Sequence, residues 1–412
     1  MKNKKIWIDL SLISLVTLAL LGLIMRSKIL FSLPLIDYNR LLDAHSHFAF
    51  GGWVTLALMV LMVYELLPDS QMRRPIYQWL FGAILLSSWG MLLSFFFSGN
   101  CFFSNFLSAF FIFTTYLFGY FFIKDILKSG VRKTVQLLSI LSLVSLIISS
   151  ICPFVIAYLF ASKSLDAILY RDALFTYLHL QYNGFFTLAV FALLFHRFEL
   201  KITEASEQNI HRFSVLLSAS IVPSLFLSYL WHDPHILFRV IAIAGSILLL
   251  LSLTWFIIAG MPLLKFHKEA APTIRFIGLL SMTAFMLKMF LQSFTIFPSV
   301  GDGVFGDRPM IIGFLHLVFL GFVTLFLLAY FAQLGLLNIK NKFTRVALIL
   351  FSVGVLFNEI VLMGQGLGVL FIKSSHAFPW LLWTISIWLF IGAFLICISR
   401  IKYRSISSIQ EK

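Results

Sequence analysis

The chain has 412 residues, 60% of them hydrophobic and only 12% charged, with a mean hydropathy of +0.97. A soluble domain carries about 25% charged residues, so half of a polar shell is missing and lipid must be the solvent. A soluble enzyme, a secreted disulfide scaffold and a disordered chain are excluded. Cys101, Cys152 and Cys397 lie in or beside apolar runs and offer neither a disulfide framework nor a CxxC metal site.

A membrane-spanning helix needs about 20 apolar residues. Hydropathy predicts twelve, over 6–25, 44–67, 76–97, 102–123, 134–160, 172–195, 213–232, 236–260, 273–297, 309–331, 344–363 and 377–399. The first follows a basic Met1–Lys5, but its apolar core is too long for a signal peptide and no small-residue cleavage site follows, so it reads as a retained helix. The stretch 197–212 mixes acids and bases and reads as a solvated connector. With both termini placed in the cytoplasm, 22 of the 31 Lys and Arg fall on the inner side and 8 on the outer, with Lys288 inside a span. The net charge of +14 is therefore the positive-inside rule and not a nucleic-acid surface. The expected architecture is a single all-α integral membrane domain in a multi-pass bacterial inner membrane. Phe, Lys and Ile usage resembles that of low-GC bacteria.

The second, sixth and tenth predicted spans share a motif. His47-Phe-Ala-Phe-Gly-Gly-Trp-Val-Thr-Leu56, His179-Leu-Gln-Tyr-Asn-Gly-Phe-Phe-Thr-Leu188 and His316-Leu-Val-Phe-Leu-Gly-Phe-Val-Thr-Leu325 each read His, aromatic at +3, Gly at +5, aromatic at +6, Thr at +8 and Leu at +9. The histidines are 132 and 137 residues apart, about four spans each. Three four-helix units follow, over about 1–130, 131–268 and 269–412, in a pseudo-threefold bundle. The Gly lets a neighbouring backbone or a flat ligand approach closely, and the Thr can bond its own helix backbone.

Seven of the ten histidines fall toward the outer face: His45, His47, His179, His232, His235, His316 and His376. His196, His211 and His267 lie in inner, solvated positions. Ionisable residues within a membrane mark function, and imidazole binds Fe, Cu and Zn. Two histidines on facing helices can hold haem in a bundle core. Carboxylates and thiolates are scarce at this depth, which favours histidine-held iron or copper over Ca or Mg.

Gly313-Phe-Leu-His316-Leu-Val-Phe-Leu-Gly-Phe-Val resembles the tenth-helix Gly-His-x-His-x-x-x-x-Gly-Trp-Val run of haem-copper oxidase subunit I, a superfamily that includes nitric oxide reductases. Tyr177-Leu-His179-Leu-Gln-Tyr-Asn-Gly-Phe-Phe resembles its sixth-helix copper segment, and Leu230-Trp-His-Asp-Pro-His235 its Gly-Pro-His-His turn. The resemblance implies twelve helices, His47 and His316 as axial ligands of a b-type haem, and His179 and His235, with His232 as a third, as ligands of copper or non-haem iron. It also implies a cytochrome c or quinol electron donor and a diatomic gas, O2 or NO, as ligand. Phe314 stands where the family has its proximal histidine, so His45 is a substitute candidate from another helix. Ile236 breaks the adjacent His-His pair. His45-Ser-His47-Phe-Ala-Phe-Gly51 is similar to an early-helix run of the NnrS proteins, haem and copper membrane proteins of the nitric oxide response, with Phe48 in place of the usual Glu.

Tyr182 reads as a packing residue. Lys288 and Glu359 are the clearest intramembrane charges, expected either as a buried ion pair or as proton-relay or haem-propionate contacts. Arg40, Arg171, Arg239 and Arg308 lie at the outer rim, where they anchor helices or bind propionates. Three functions compete: an oxidoreductase of oxygen or nitric oxide chemistry, a non-catalytic nitric oxide sensor, and a histidine-dependent transporter. The threefold, histidine-headed repeat speaks against the paired broken helices of a transporter.

Overall fold

The computed structural model describes residues 2–199, 203–306, 308–370 and 375–410; Lys201, Lys373 and Lys412 of the charge count lie outside them, as does the side chain of His267. The described residues form helix and no strand. Twelve helices are long and apolar enough to cross a membrane: Asn3–Leu30, Tyr38–Leu66, Pro75–Ser98, Phe102–Ile126, Lys133–Ala161, Ala167–Phe198, Ser206–His232, Ile236–Gly260, Pro272–Phe294, Arg308–Gln333, Lys342–Gly366 and Ala377–Lys402. Each matches a predicted span, and the chain is a multi-pass membrane protein.

One boundary differs from expectation. Residues 204–212 are not a solvated connector but the opening turns of the helix Glu204–Leu225. Thr203 caps it, its Oγ1 accepting from the Ser206 backbone N–H at 3.4 Å, and Glu204 and Glu207 in the first turn complement the helix dipole. Arg132 ties this start to the sixth span by pairing with Glu207 at 2.8 Å and Glu199 at 3.2 Å.

The spans are not equivalent. Of their apolar windows, 78%, 89% and 61% are buried in the second, sixth and tenth, against 28–50% in the other nine. The three motif-bearing helices are therefore the inner helices, and the rest screen them from lipid. The first and twelfth spans pack together and close the outer layer. Arg400 donates through Nε to Asp9 and through Nη1 to the Leu336 carbonyl, both at 2.7 Å, so the start of the first span and the end of the twelfth lie at one end of the bundle. Other ionic locks gather at this end. Lys4 bonds Glu65, and Arg74 and the Tyr77 hydroxyl both donate to Asp125, at 2.7 Å each to Oδ2. The motif histidines sit toward the far end.

Candidate functional site

All three motif helices change their winding at the motif. Directly after or two residues beyond its histidine, each passes from α- to π-helix: Ala49–Thr55, Leu180–Phe186 and Leu317–Thr324. A π-segment is a rare device, found mostly at functional sites. Here it occurs three times, each starting one or two residues after the motif histidine. The segments meet on the bundle's interior. Phe50 and Phe319, at the same motif position, are 4.5 Å apart between ring centres, and both touch Phe186, at 5.8 and 5.2 Å. Trp53 Nε1 donates to Thr324 Oγ1 at 2.8 Å and locks the second span to the tenth.

The motif glycines serve this approach in two ways. A Cβ on Gly184 would stand 2.3 Å from Ser145 Cβ, and one on Gly321 would stand 3.2 Å from Ala284 Cβ, so both admit a neighbouring helix. At Gly52 the space is filled by the Phe48 ring of its own helix, 2.6 Å from such a Cβ.

One turn toward the far end from the Phe50–Phe319 contact stand His47 and His316, and they are built alike. Each directs Nδ1 at the carbonyl oxygen four residues earlier, Asp43 at 2.9 Å and Ile312 at 2.8 Å. A carbonyl only accepts, so Nδ1 carries the proton and Nε2 keeps its lone pair. Neither Nε2 is hydrogen-bonded among the described residues. Both rings are half-buried, and His47 stacks on Phe95 at 4.4 Å with planes 26° apart.

His45 lies against the first span, where a Cβ on Gly22 would be 3.5 Å from its Cε1, and its Nδ1 is buried without a hydrogen-bond partner. Arg26, also on the first span, is an electrostatic neighbour of both His45 and His316 and makes no hydrogen bond or ion pair among the described residues. Its place beside two histidines depends on how the first span packs. Phe314 packs edge-on to Tyr182 at 5.6 Å.

The proposed copper ligands are not gathered. Among the described residues no group of three His, Cys, Asp or Glu side chains is arranged to hold a metal ion. His179 is fully buried with both nitrogens engaged: Nε2 donates to the Ile221 carbonyl at 2.8 Å, and Nδ1 accepts from Asn183 at 3.1 Å and Gln292 at 3.5 Å. His232 Nε2 bonds Asp172 at 3.0 Å, and Trp231 donates to the same carboxylate. His235 is exposed and its Nδ1 accepts the Leu237 backbone N–H at 3.2 Å.

The expected Lys288–Glu359 ion pair does not form. Lys288 points at the sixth span, donating to Asn183 Oδ1 and, at 3.3 Å, to Thr187 Oγ1. Glu359 accepts from Asn358 at 3.1 Å, and its Oε2 is buried without a partner near Gly321. The Asn183 amide oxygen and the Thr187 hydroxyl thus do the work assigned to a carboxylate, a role that no charge pattern in the sequence announces. At the rim, Arg40 donates to the Phe97 carbonyl at 2.9 Å, Arg171 lies over Trp231 at 4.2 Å, and Arg239 pairs with Asp233. Arg308 and His376 are exposed.

Fold and site together define a twelve-span helical membrane protein with three inner helices and two similarly prepared histidines between them. The chain matches no family model and no curated protein.

Proposed function

We propose that this chain is a membrane haem protein that holds a b-type haem between His47 and His316. The observation that carries the reading is the matched pair itself: two imidazoles at one motif position, each with Nδ1–H tied to an i−4 carbonyl and Nε2 left as a lone-pair donor. A metal-ligating histidine ordinarily donates its other ring N–H to such a carbonyl, which fixes its tautomer and ring orientation. The residues present fit the group. Phe95 limits rotation of the His47 ring, the buried Nδ1 of His45 adds an unpaired polar atom, and Arg26 supplies a cation for carboxylate side groups. Bound haem would supply one-electron chemistry, with cytochrome c or a quinol as donor, for reactions of oxygen or nitric oxide.

The arrangement favours electron transfer or nitric oxide response over a reductase with a second metal. His179 spends both nitrogens on protein partners, and Phe314, in place of a proximal histidine, packs on Tyr182. Copper or non-haem iron therefore has no prepared ligand set at His179, His232 and His235. The excess of basic residues at one end supports cytoplasmic termini and a periplasmic histidine site in a bacterial inner membrane. The three π-segments, one at each motif, support the arrangement as three four-helix units.

The test is a reduced-minus-oxidised optical spectrum of the full chain purified after expression with haem supply. A low-spin b-type band is expected in the wild type, absent in His47→Ala and in His316→Ala, and unchanged in His235→Ala. Added CO should leave the band unaltered. A wild type without haem, or haem retained in both alanine variants, would overturn the reading.

A further inference from the structure

A cavity of about 320 Å³ lies toward the far end between the sixth, seventh, ninth, tenth and eleventh spans. No residue of the His47–His316 pair lines it. Its wall is largely apolar, with Phe175, Leu178 and Phe314 among the lining side chains, and the rim residues Phe294 and Val300 are 36% and 37% exposed.

Polar side chains break this apolar wall: Thr295, whose hydroxyl donates to the Gln292 carbonyl at 2.8 Å, the exposed Ser299, and three buried ones from three different helices. Tyr182, Ser228 and Gln292 are 8%, 7% and 6% exposed. The hydroxyls of Tyr182 and Ser228 make no hydrogen bond among the described residues, and Gln292 Oε1 is buried without a partner. The orientation of that amide follows from its neighbours. His179 uses Nε2–H on the Ile221 carbonyl, so Nδ1 must accept, and Asn183 and Gln292 both present their NH2 groups to it. Gln292 Oε1 is then left as an acceptor at the cavity. An unsatisfied buried polar group costs about 1–3 kcal/mol; Gln292 Oε1 is such a group, and with the two unbonded hydroxyls beside it gives the pattern of a ligand pocket: an apolar body with a few fixed polar contacts.

We propose that this cavity binds a membrane-dissolved hydroxylated aromatic ring of the quinol class. Phe175 and Phe314 offer ring faces and edges. Gln292 Oε1 accepts one ring hydroxyl, and the Tyr182 and Ser228 hydroxyls, able to donate or accept, serve the other. An acyl chain would fill the volume but leave all three polar groups unsatisfied.

The experiment uses the full chain in nanodiscs and three probes of one shape: propylhydroquinone (kept anaerobic), 4-propylphenol and propylbenzene, carrying two, one and no hydroxyls. Binding is read by calorimetry and by the rise in unfolding temperature. Affinity should increase about two- to tenfold with each hydroxyl. Gln292→Leu should flatten the hydroxyl dependence while leaving propylbenzene binding in place, and the isosteric Tyr182→Phe should reduce the second step. The proposal is overturned if the three probes bind alike, if none binds, or if both variants keep the wild-type order. The wild-type probe series decides even if Gln292→Leu does not fold.

Discussion

Gly184 leaves room for a hydrogen and no more. Its missing Cβ would fall 2.3 Å from Ser145 Cβ and 2.5 Å from Ser145 Oγ. Gly184→Ala should therefore cost about 1–3 kcal/mol through overpacking, and adding Ser145→Gly should recover most of that loss, as read by a double-mutant cycle on unfolding. Lys288 gives a second cycle. Lys288→Met strips a donor from Asn183 and should cost about 1–3 kcal/mol. Because Lys288 and Glu359 have separate partners, combining it with Glu359→Gln should be additive within about 0.5 kcal/mol; a coupling well above that restores the ion pair. Cys101, outside the spans, titrates where it can be seen. The Ser104 backbone N–H, then the Ser94 hydroxyl, bring its thiol down to about 7, and the thiolate is the reactive form. Alkylation should climb as pH rises through about 7, below the range of an ordinary thiol, while buried Cys152 and Cys397 react slowly. Which histidines share a motif position was legible from their spacing. What each ring nitrogen touches was not, since Ile221 and Gln292, two of the partners of His179, come from the seventh and ninth spans, far off in sequence.

Helices carry the repeat, and the winding change carries the geometry. An α-helix turns 100° per residue, so a π-segment that absorbs one extra residue rotates everything before it relative to everything after. In the second span this sets His47 against the Trp53–Thr324 bond. Deleting Phe50 should leave the helical circular dichroism unchanged, swing His47 by about 100°, and remove the haem band proposed above. A deletion variant that keeps the band would show that the π-segment does not position the ligand. The motif recurs plainly in the letters, with Gly at +5 and Thr at +8, but the π-winding does not: its hydrogen bonds are chosen by packing. The start of the seventh span was hidden for a different reason. Residues 204–212 are polar because they project beyond the apolar layer, and hydropathy sees only the part in lipid. The cap at Thr203 with Glu204 and Glu207 was the available signal.

At the scale of the molecule, twelve apolar runs separated by charged turns are enough to specify twelve spans, because no other backbone satisfies its hydrogen bonds in lipid. Which spans are inner is also foreshadowed, since the three motif helices alone carry polar side chains at repeated positions. Closure of the outer layer is not foreshadowed; at one end Trp383 Nε1 donates to Ser27 Oγ at 3.0 Å, and at the other Arg400, 3% exposed, joins Asp9 of the first span to the Leu336 carbonyl. Asp9→Ala leaves a buried guanidinium short of its counter-charge and should cost about 3–5 kcal/mol, measured as accelerated thermal unfolding in detergent. The same bond orders events during biosynthesis. Its partners are 391 residues apart, so at about 5–20 residues per second roughly 20–80 s pass between them on the ribosome. Until the last helix emerges, the first has no permanent neighbour on that side, and the inner helices stay uncovered there. A nascent chain that stops before the twelfth span should therefore be cleared by proteolysis in a pulse-chase, where one that reaches Arg400 survives.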